Sequence, residues 1–363
     1  MPRRPRRVTC EAISQHGSSH PAKHHALCSR AGAAPVPEGK AIVHILANEN
    51  DLLTLTLPLH TLASMTRWRP SRMVYYLYRL GGALAPRIPP RVGYPLFAAV
   101  GRLVYVLNAS ARGHVRDNIR HVLGKDAPSE QVNRLARATF DYVAYNYYDL
   151  FRLPNLTAEQ VNTMVQLKGW ENVEAALSLG KGVVMTCAHF GNIEIVLYAM
   201  LLKGVSITIP AERVEPPELY DYLTALRTSK GLRIIPVDGP MIDLFRTLRR
   251  GGVAGVASDR NITGHGMVVN LFGQPTLLPD GHVRLAMRTG APLILGFSHR
   301  LERRDRYVAT FLPYFCIPEA GSDKERLAAG MAYVVQGMEA AIRECPEQWV
   351  VTVPMWKEVA CAR

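Results

Sequence analysis

The sequence predicts an α/β fold, in which a mainly parallel or mixed central sheet is flanked by helices. Two observations lead to this prediction. After about residue 160, short apolar runs alternate with helical stretches, and residues 65–160 have a helical pattern. We therefore divide the chain into residues 1–64, an N-terminal helical region at 65–160, and an α/β domain at 161–363.

Five apolar runs predict the strands of the sheet, and amphipathic stretches of helical periodicity separate them. Alternation of this kind favours a parallel sheet, whose binding and catalytic sites form beyond the carboxyl ends of the strands. The predicted strands are residues 182–188, 206–210, 233–237, 252–258 and 291–299.

Residues 1–64 differ in composition from the rest of the chain. The first 40 are rich in Pro, Ala, Ser, His and Arg and show no periodicity. Such a segment buries too little apolar surface to offset the entropy of ordering, so we expect a disordered tail, or a start assigned upstream of Met65. No apolar segment follows the basic start, which argues against a secretory signal. A metal site at His20, His24, His25 and Cys28 is the alternative, but no further ligands complete it.

Residues 65–160 predict apolar and basic helices. Their residue pattern suits either a membrane interface or packing against the main domain, or both. No apolar run reaches the roughly 20 residues that span a bilayer. The longest candidate, residues 94–107, is interrupted by Arg102.

The net charge of +13 suits an anionic partner such as a lipid surface, a nucleic acid or a polyanionic cofactor. A nucleic-acid partner is not expected, because the basic residues form no clusters interleaved with aromatics and no zinc framework is present. The six cysteines show no C-x-x-C spacing, which favours a reducing compartment over a disulfide scaffold.

A histidine followed five residues later by an acid occurs three times, whereas composition alone predicts about one such match. The spacing therefore identifies no site by itself. The three matches are His44 with Glu49, His121 with Asp126, and His189 with Glu194.

The position of His189 distinguishes it from the other two. It follows a predicted buried strand and precedes a Gly191-Asn192 turn and a helix, whereas His44 lies in the unpatterned segment and His121 near a helix end. A neutral imidazole at a strand end can take a proton from a hydroxyl, and a carboxylate on its other nitrogen fixes the tautomer. We expect His189 as base and Glu194 as its partner; the alternative is a pair that only caps the strand–helix junction.

Nucleophilic alternatives are weaker. The stretch at 296–300, GFSHR, lacks the closing glycine of a nucleophile elbow. Cys187 lies two residues before His189 and points to the same face of a strand, so a Cys–His pair is conceivable. A small buried cysteine in a strand is the commoner arrangement.

Several ordered blocks resemble the bacterial lipid A biosynthesis acyltransferase family, which includes the lauroyl and myristoyl acyltransferases. They are HFGNIE at 189–194, the block at 209–237 that begins IPAER, the block at 257–294 with its F-G-x-P, and CPEQWVVTVPMW at 345–356. The AER wording is similar to that of the phosphatidylinositol mannoside acyltransferases. The resemblance covers roughly residues 65–356.

This resemblance implies a peripheral O-acyltransferase on the cytoplasmic face of the inner membrane. It implies acyl-CoA or acyl-ACP as donor, a glycolipid acceptor such as a lipid A precursor or a phosphatidylinositol mannoside, and no metal or redox cofactor. His189 matches the family's catalytic base and Glu194 its carboxylate partner. Substrate-lining positions of the mannoside enzymes match Glu212, Arg213 and Arg227.

Asp259 and Arg260 follow a predicted strand, so we expect them to bind substrate, a local ion pair being the alternative. The arginines suit anionic groups of the acceptor or the acyl carrier. An acidic residue expected near 268–270 is replaced by Val268 and Asn270. A thioesterase on the same scaffold and a non-catalytic lipid- or nucleotide-binding protein remain the alternative functions.

Overall fold

A computed structural model describes residues 40–48, 51–58 and 70–356. The strands β1 (Lys40–Asn48) and β2 (Asp51–Pro58) form an antiparallel hairpin, which belongs to a unit separate from the one that begins at Arg69. The hairpin differs from the disorder that we expect for this segment, because LLTLTL alternates as a strand does. The rest of 1–64, including the possible metal ligands, lies outside the described residues.

The second unit begins with helices, as the sequence predicts. Pro90 and Pro70 stand at helix starts, where the missing N–H of proline costs nothing. The first five helices are α1 (Pro70–Leu84), α2 (Pro90–Leu107), α3 (Ala109–Leu123), α4 (Ser129–Arg152) and α5 (Ala158–Met164). The later ones are α6 (Trp170–Ser178), α7 (Ile193–Leu201), α8 (Pro217–Thr228), α9 (Ile242–Arg249), α10 (Gly281–Thr289) and α11 (Asp323–Glu344).

A seven-stranded mixed sheet forms the centre of this unit, in the order β3-β11-β10-β4-β7-β5-β6. The five strands β10, β4, β7, β5 and β6 are parallel, and β11 pairs antiparallel to β10. Strands β8 and β9 form a separate hairpin. The strands are β3 (Val165–Lys168), β4 (Val183–Cys187), β5 (Ile207–Ala211), β6 (Arg233–Pro236), β7 (Val253–Ala257), β8 (Met267–Leu271), β9 (Gln274–Leu278), β10 (Leu293–Arg300) and β11 (Tyr307–Phe311).

The predicted α/β class with a mixed sheet is confirmed, and so are the five predicted strands, which form the parallel part. Apolar cores lie on both faces of the sheet. Val184 belongs to the core that includes α10 and α11, while its neighbour Val183 belongs to the core that includes α7 and α8. Successive side chains of a strand point to opposite faces, so a strand buried on both faces has a continuous apolar sequence.

Helices α1 and α2 each have one side that no other described residue covers. Tyr94, Ala98 and Gly101 of α2 are buried, and Gly101 lies so close to the backbone of Phe140 in α4 that a Cβ would approach its oxygen to 2.4 Å. The opposite sides of α1 and α2 form what we call the apolar face. Its exposed residues are Met73, Tyr76, Leu77, Leu80 and Leu84 of α1, and Val92, Leu96, Val100, Leu103, Val104, Val106 and Leu107 of α2.

Among the described residues, no individual helix has the length and apolar character to cross a membrane. The pair α2 and α3 meets the length and composition requirement when taken together, but the two helices are bent by 97° at Asn108.

Candidate active site

His189 and Asp259 follow neighbouring parallel strands. β4 ends at Cys187 and β7 at Ala257, and these two residues are paired in register. The N–H of Ser258 donates to the carbonyl of Cys187 at 2.9 Å, which carries the pairing beyond the strand ends. Both side chains therefore lie at the carboxyl edge of the sheet, where sites in such folds form.

The Asp259 carboxylate binds His189 through both of its oxygens. Oδ1 lies 2.6 Å from the imidazole Nδ1, and Oδ2 accepts the backbone N–H of His189 at 2.8 Å. Asp259 is fully buried, whereas the His189 side chain is 34% exposed. Within the described residues Nε2 of His189 makes no hydrogen bond, so it is available as the acceptor of a proton.

Trp349 supplies a third donor to Asp259, since its Nε1–H lies 2.9 Å from Oδ2. Burial by itself would raise the pKa of Asp259. The positive charge that His189 can carry, together with the hydrogen bonds from His189 and Trp349, outweighs burial and holds this pKa below its ordinary value. Asp259 therefore stays ionised and fixes the proton of a neutral imidazole on Nδ1. The sequence assigns no role to Trp349 beyond its place in the PEQW block.

The turn that follows His189 is packed tightly against β10. Gly191 has φ of 62°, and a Cβ at this position would lie 1.5 Å from the carbonyl oxygen of Ser298. Only glycine meets both requirements. The carbonyl of His189 accepts the N–H of Val350 at 2.9 Å, which ties the turn to the segment after α11.

Every backbone N–H from 189 to 192 donates within the protein. His189 donates to Asp259, Phe190 to the carbonyl of Ala188, Gly191 to the carbonyl of Gln348, and Asn192 to Oγ of Ser298. These four N–H groups are therefore not free to donate to a further acceptor such as a developing oxyanion.

Glu194 contacts a different partner from the one we expect. Its Oε1 accepts Nε–H of Arg227 at 2.7 Å, and the charge of Glu194 raises the pKa of Arg227 above its ordinary value despite burial. The reason is local. Asn192 caps α7 by accepting the N–H of Ile195, so Glu194 lies on the first helical turn and faces α8, while Nδ1 of His189 is occupied by Asp259.

The remaining predicted site residues form two ion pairs. Arg260 donates Nη2 to Glu212 at 3.0 Å, which joins the ends of β7 and β5 in a partly exposed pair. Arg213 donates Nε to Asp238 at 3.1 and 3.2 Å in an exposed pair. Asp259, which we expect in substrate binding, has no exposed surface and contacts His189 instead.

The other candidates have structural contacts. His121 donates Nδ1–H to the carbonyl of Asp117 at 2.9 Å, and its ring stacks on Trp356 with centroids 4.0 Å apart. His44 lies in β1. Burial, with the nearby charges of Asp259 and Glu194, raises the pKa of the Cys187 thiol to about 12, which argues against a thiolate nucleophile.

Comparison with known proteins places these residues in a family. The model of the bacterial lipid A biosynthesis acyltransferase family matches residues 63–358. The chain is 30% identical over 186 residues to a phosphatidylinositol mannoside acyltransferase of Mycobacterium tuberculosis (strain CDC 1551 / Oshkosh), a match that covers 50% of this chain and 58% of that protein. The chain thus spans less than two thirds of that relative's length.

A second relative, a phosphatidylinositol mannoside acyltransferase of Mycolicibacterium smegmatis, is 27% identical over 220 residues, or 60% of this chain and 71% of that protein. The crystal structure of the 1-acyl-sn-glycerophosphate (LPA) acyltransferase of Thermotoga maritima covers 68% of this chain and 95% of its own, with 16% identity. Its TM-score of 0.31 is too low to establish a shared fold. The family match spans most of the chain, and the chain therefore belongs to the bacterial lipid A biosynthesis acyltransferase family.

Proposed function

We propose that this chain is an O-acyltransferase that moves a fatty acyl group from acyl-CoA or acyl-ACP to a hydroxyl of a glycolipid. The observation that carries the proposal is the His189–Asp259 pair, a partly exposed imidazole held by a buried, ionised carboxylate at the carboxyl edge of the sheet. Membership of the family and the names of the two mycobacterial relatives support acyl transfer to a glycolipid.

In the proposed reaction, Nε2 of His189 takes the proton of the acceptor hydroxyl as its oxygen attacks the thioester carbonyl. The tetrahedral intermediate collapses, the C–S bond breaks, and the leaving thiolate receives the proton from the imidazolium. Asp259 keeps its negative charge throughout and stabilises the imidazolium. The products are an ester and a free thiol. The proposal includes no metal or redox cofactor.

We propose that arginine side chains stabilise the oxyanion of the intermediate, because the backbone N–H groups of the turn are already used. A guanidinium has five N–H donors, and Arg227 and Arg260 each use one for the carboxylates of Glu194 and Glu212. The remaining donors can bind the oxyanion or the phosphates of the acyl carrier or acceptor. In this proposal Glu194 and Glu212 hold the arginines in place. The exposed Arg213 binds an outer phosphate.

The proposed acceptor lies in an anionic membrane, either as a phosphatidylinositol mannoside or as a lipid A precursor. Support comes from the apolar face on α1 and α2, whose exposed side chains include Leu103 and Leu107, and from the net charge of +13. Peripheral binding on the cytoplasmic face would bring soluble acyl-CoA or acyl-ACP and the glycolipid to the same site.

The test is product analysis by mass spectrometry with palmitoyl-CoA and phosphatidylinositol mannoside in anionic vesicles. We expect acyl-glycolipid from the wild type and a loss of about a hundred- to ten-thousand-fold in His189→Ala, the range for a general base. His121→Ala is the matched control, since it removes the histidine of an identical spacing, and it should retain activity. Free fatty acid as the only product would favour the thioesterase, and unchanged consumption of palmitoyl-CoA in His189→Ala would exclude both enzymes.

A further inference from the structure

A charged pair that the proposed reaction does not use lies fully buried beneath the turn. Nη2 of Arg300, at the end of β10, is 2.7 Å from Oδ2 of Asp149 in α4, and neither side chain is exposed. Removing two charges from water costs several kcal/mol per ion, and apolar residues of similar volume often stabilise a fold as well or better. Stability alone is therefore a weak reason for this pair.

Tyrosines complete the surroundings of the pair. Tyr94 of α2 donates to Oδ1 of Asp149 at 2.7 Å, and Tyr307 of β11 donates to Oδ2 at 2.5 Å. The guanidinium of Arg300 also faces the rings of Tyr94, Tyr307 and Tyr145 at 4.7 to 5.5 Å from their centroids. Asp149 is thus fixed from several elements and cannot change its direction independently.

Two side-chain amides link this cluster to the turn. Asn146 accepts Nη2–H of Arg300 at 2.9 Å and donates to the carbonyl of Gly191 at 2.5 Å. The Nδ2 amide of Asn192 donates to Oδ2 of Asp149 at 2.9 Å.

The other polar groups of Asn192 are also occupied. Its N–H and C=O bind Oγ of Ser298 at 3.1 and 2.8 Å, and its Oδ1 caps α7 through the N–H of Ile195. Asn192 lies three residues after His189.

We infer that Asp149 is a positioning residue, which acts through Asn192 to hold the turn after His189 so that Nε2 meets the acceptor hydroxyl. This inference rests on the proposed function. Asp149 holds Asn192 from one side and Ser298 holds it from the other. The neighbouring Gly191 is held separately, by Asn146 and Gln348. A misplacement of about 1 Å at a reacting group can cost about a hundredfold in rate, so a link of this kind affects the chemical step more than substrate binding.

The test variant is Asn192→Ser, because serine still caps a helix but is too short to reach Asp149. Asn172→Ser is the matched control. It removes a comparable amide, whose Nδ2 donates to the carbonyl of Phe311 at 3.0 Å, between α6 and β11. A third variant, Ser298→Ala, removes only one hydroxyl and loosens the same turn from β10. Steady-state kcat and KM are measured for each, at temperatures well below the measured Tm.

We expect kcat to fall about ten- to a hundredfold in Asn192→Ser and at least about threefold in Ser298→Ala, with KM for both substrates within about twofold of wild type. Asn172→Ser should lower Tm but leave kcat unchanged. A wild-type kcat in Asn192→Ser overturns the inference whatever Ser298→Ala shows, as does a rise in KM alone. If Asn192→Ser does not fold, Ser298→Ala is used to test whether holding this turn matters for kcat, and a wild-type kcat in that variant overturns the inference. The proposed function fails separately, when the wild type itself transfers no acyl group.

Discussion

The indole N–H of Trp349 donates to Oδ2 of Asp259 at 2.9 Å, across 90 residues of sequence. Asp259 in turn binds both the ring and the backbone of His189. The residue after Trp349 donates to the carbonyl of His189 at 2.9 Å. The segment after α11 therefore supports the histidine and its carboxylate together, so that the two cannot shift independently.

Trp349→Phe removes one of the three donors to Asp259 and keeps the aromatic packing. We expect kcat to fall by about tenfold, because a hydrogen bond to a charged group contributes about 1.5 kcal/mol or more. The control is Trp356→Phe. Its indole lies 6.2 Å from that of Trp349, and its buried Nε1 makes no hydrogen bond within the described residues. Equal losses in the two variants would mean that packing, and not the bond to Asp259, is what matters.

Glu194→Gln tests whether the Glu194 carboxylate holds Arg227 in place or orients His189. A partly exposed ion pair such as Glu194–Arg227 contributes about 1 kcal/mol to holding the arginine in place. If Arg227 binds substrate, loss of this pair should raise KM by about fivefold and leave kcat within about threefold of wild type. Asp238→Asn, which breaks the exposed pair with Arg213, is the control for loss of a carboxylate near the site. A fall in kcat as large as that of His189→Ala would mean that Glu194 is the carboxylate partner of His189, as the sequence predicts.

The apolar face can be tested by membrane binding. Replacing Leu103 and Leu107 together by Glu introduces two charges where the side chains are 56% and 73% exposed. We expect binding to phosphatidylglycerol vesicles in a flotation assay to fall by at least about tenfold, since burial of a leucine contributes about 2 kcal/mol. The control replaces by Glu two exposed leucines outside the apolar face, Leu179 and Leu301, which are 43% and 42% exposed. An equal loss of vesicle binding in both double variants would mean that the added negative charge, and not the apolar face, causes the loss.

His282 at the start of α10 predicts a stability that depends on pH. Its side chain is fully buried, and burial lowers its pKa to about 4. In the unfolded chain the pKa is about 6.5, so the unfolded state binds the extra proton below that value. The contribution of neutral His282 is thus complete above pH 6.5 and is lost as the pH falls towards 4.

Between pH 7.5 and 5.0 this group should cost the wild type about 2 kcal/mol of unfolding free energy. His282→Leu cannot titrate, so its stability should fall by about 2 kcal/mol less over the same interval, as measured by urea denaturation. His265→Leu, at an exposed histidine, should follow the wild type. The same loss in all three proteins would rule out His282 as the cause.

The strands of the parallel sheet could be predicted because burial on both faces gives each one a continuous apolar run. The β8–β9 hairpin could not, although it is local. Its two-residue turn places Phe272 at φ 51° and Gly273 at φ 76°, a turn in which Asn or Asp usually precedes the glycine. The Phe-Gly pair gives no such signal, and Pro275 weakens the strand pattern of β9.

For the site, the place of His189 after a buried strand could be predicted, and the family is confirmed by its match over residues 63–358. The partner of His189 could not. Asp259 lies 70 residues further on and reaches the imidazole only because β4 and β7 are neighbours in the sheet. The order of strands in a sheet cannot be predicted from the residues near His189. Glu194 has the shorter spacing, but helix α7 turns it towards Arg227.

The central claim is that Asp259, and not Glu194, orients the catalytic imidazole. Asp259→Asn keeps the shape of the side chain but removes the charge that fixes the tautomer. The decisive measurement is kcat for acyl transfer by purified, folded Asp259→Asn beside wild type and Glu194→Gln. We predict a fall of about a hundredfold or more in Asp259→Asn, with Glu194→Gln within about threefold of wild type. A wild-type kcat in Asp259→Asn would contradict the account.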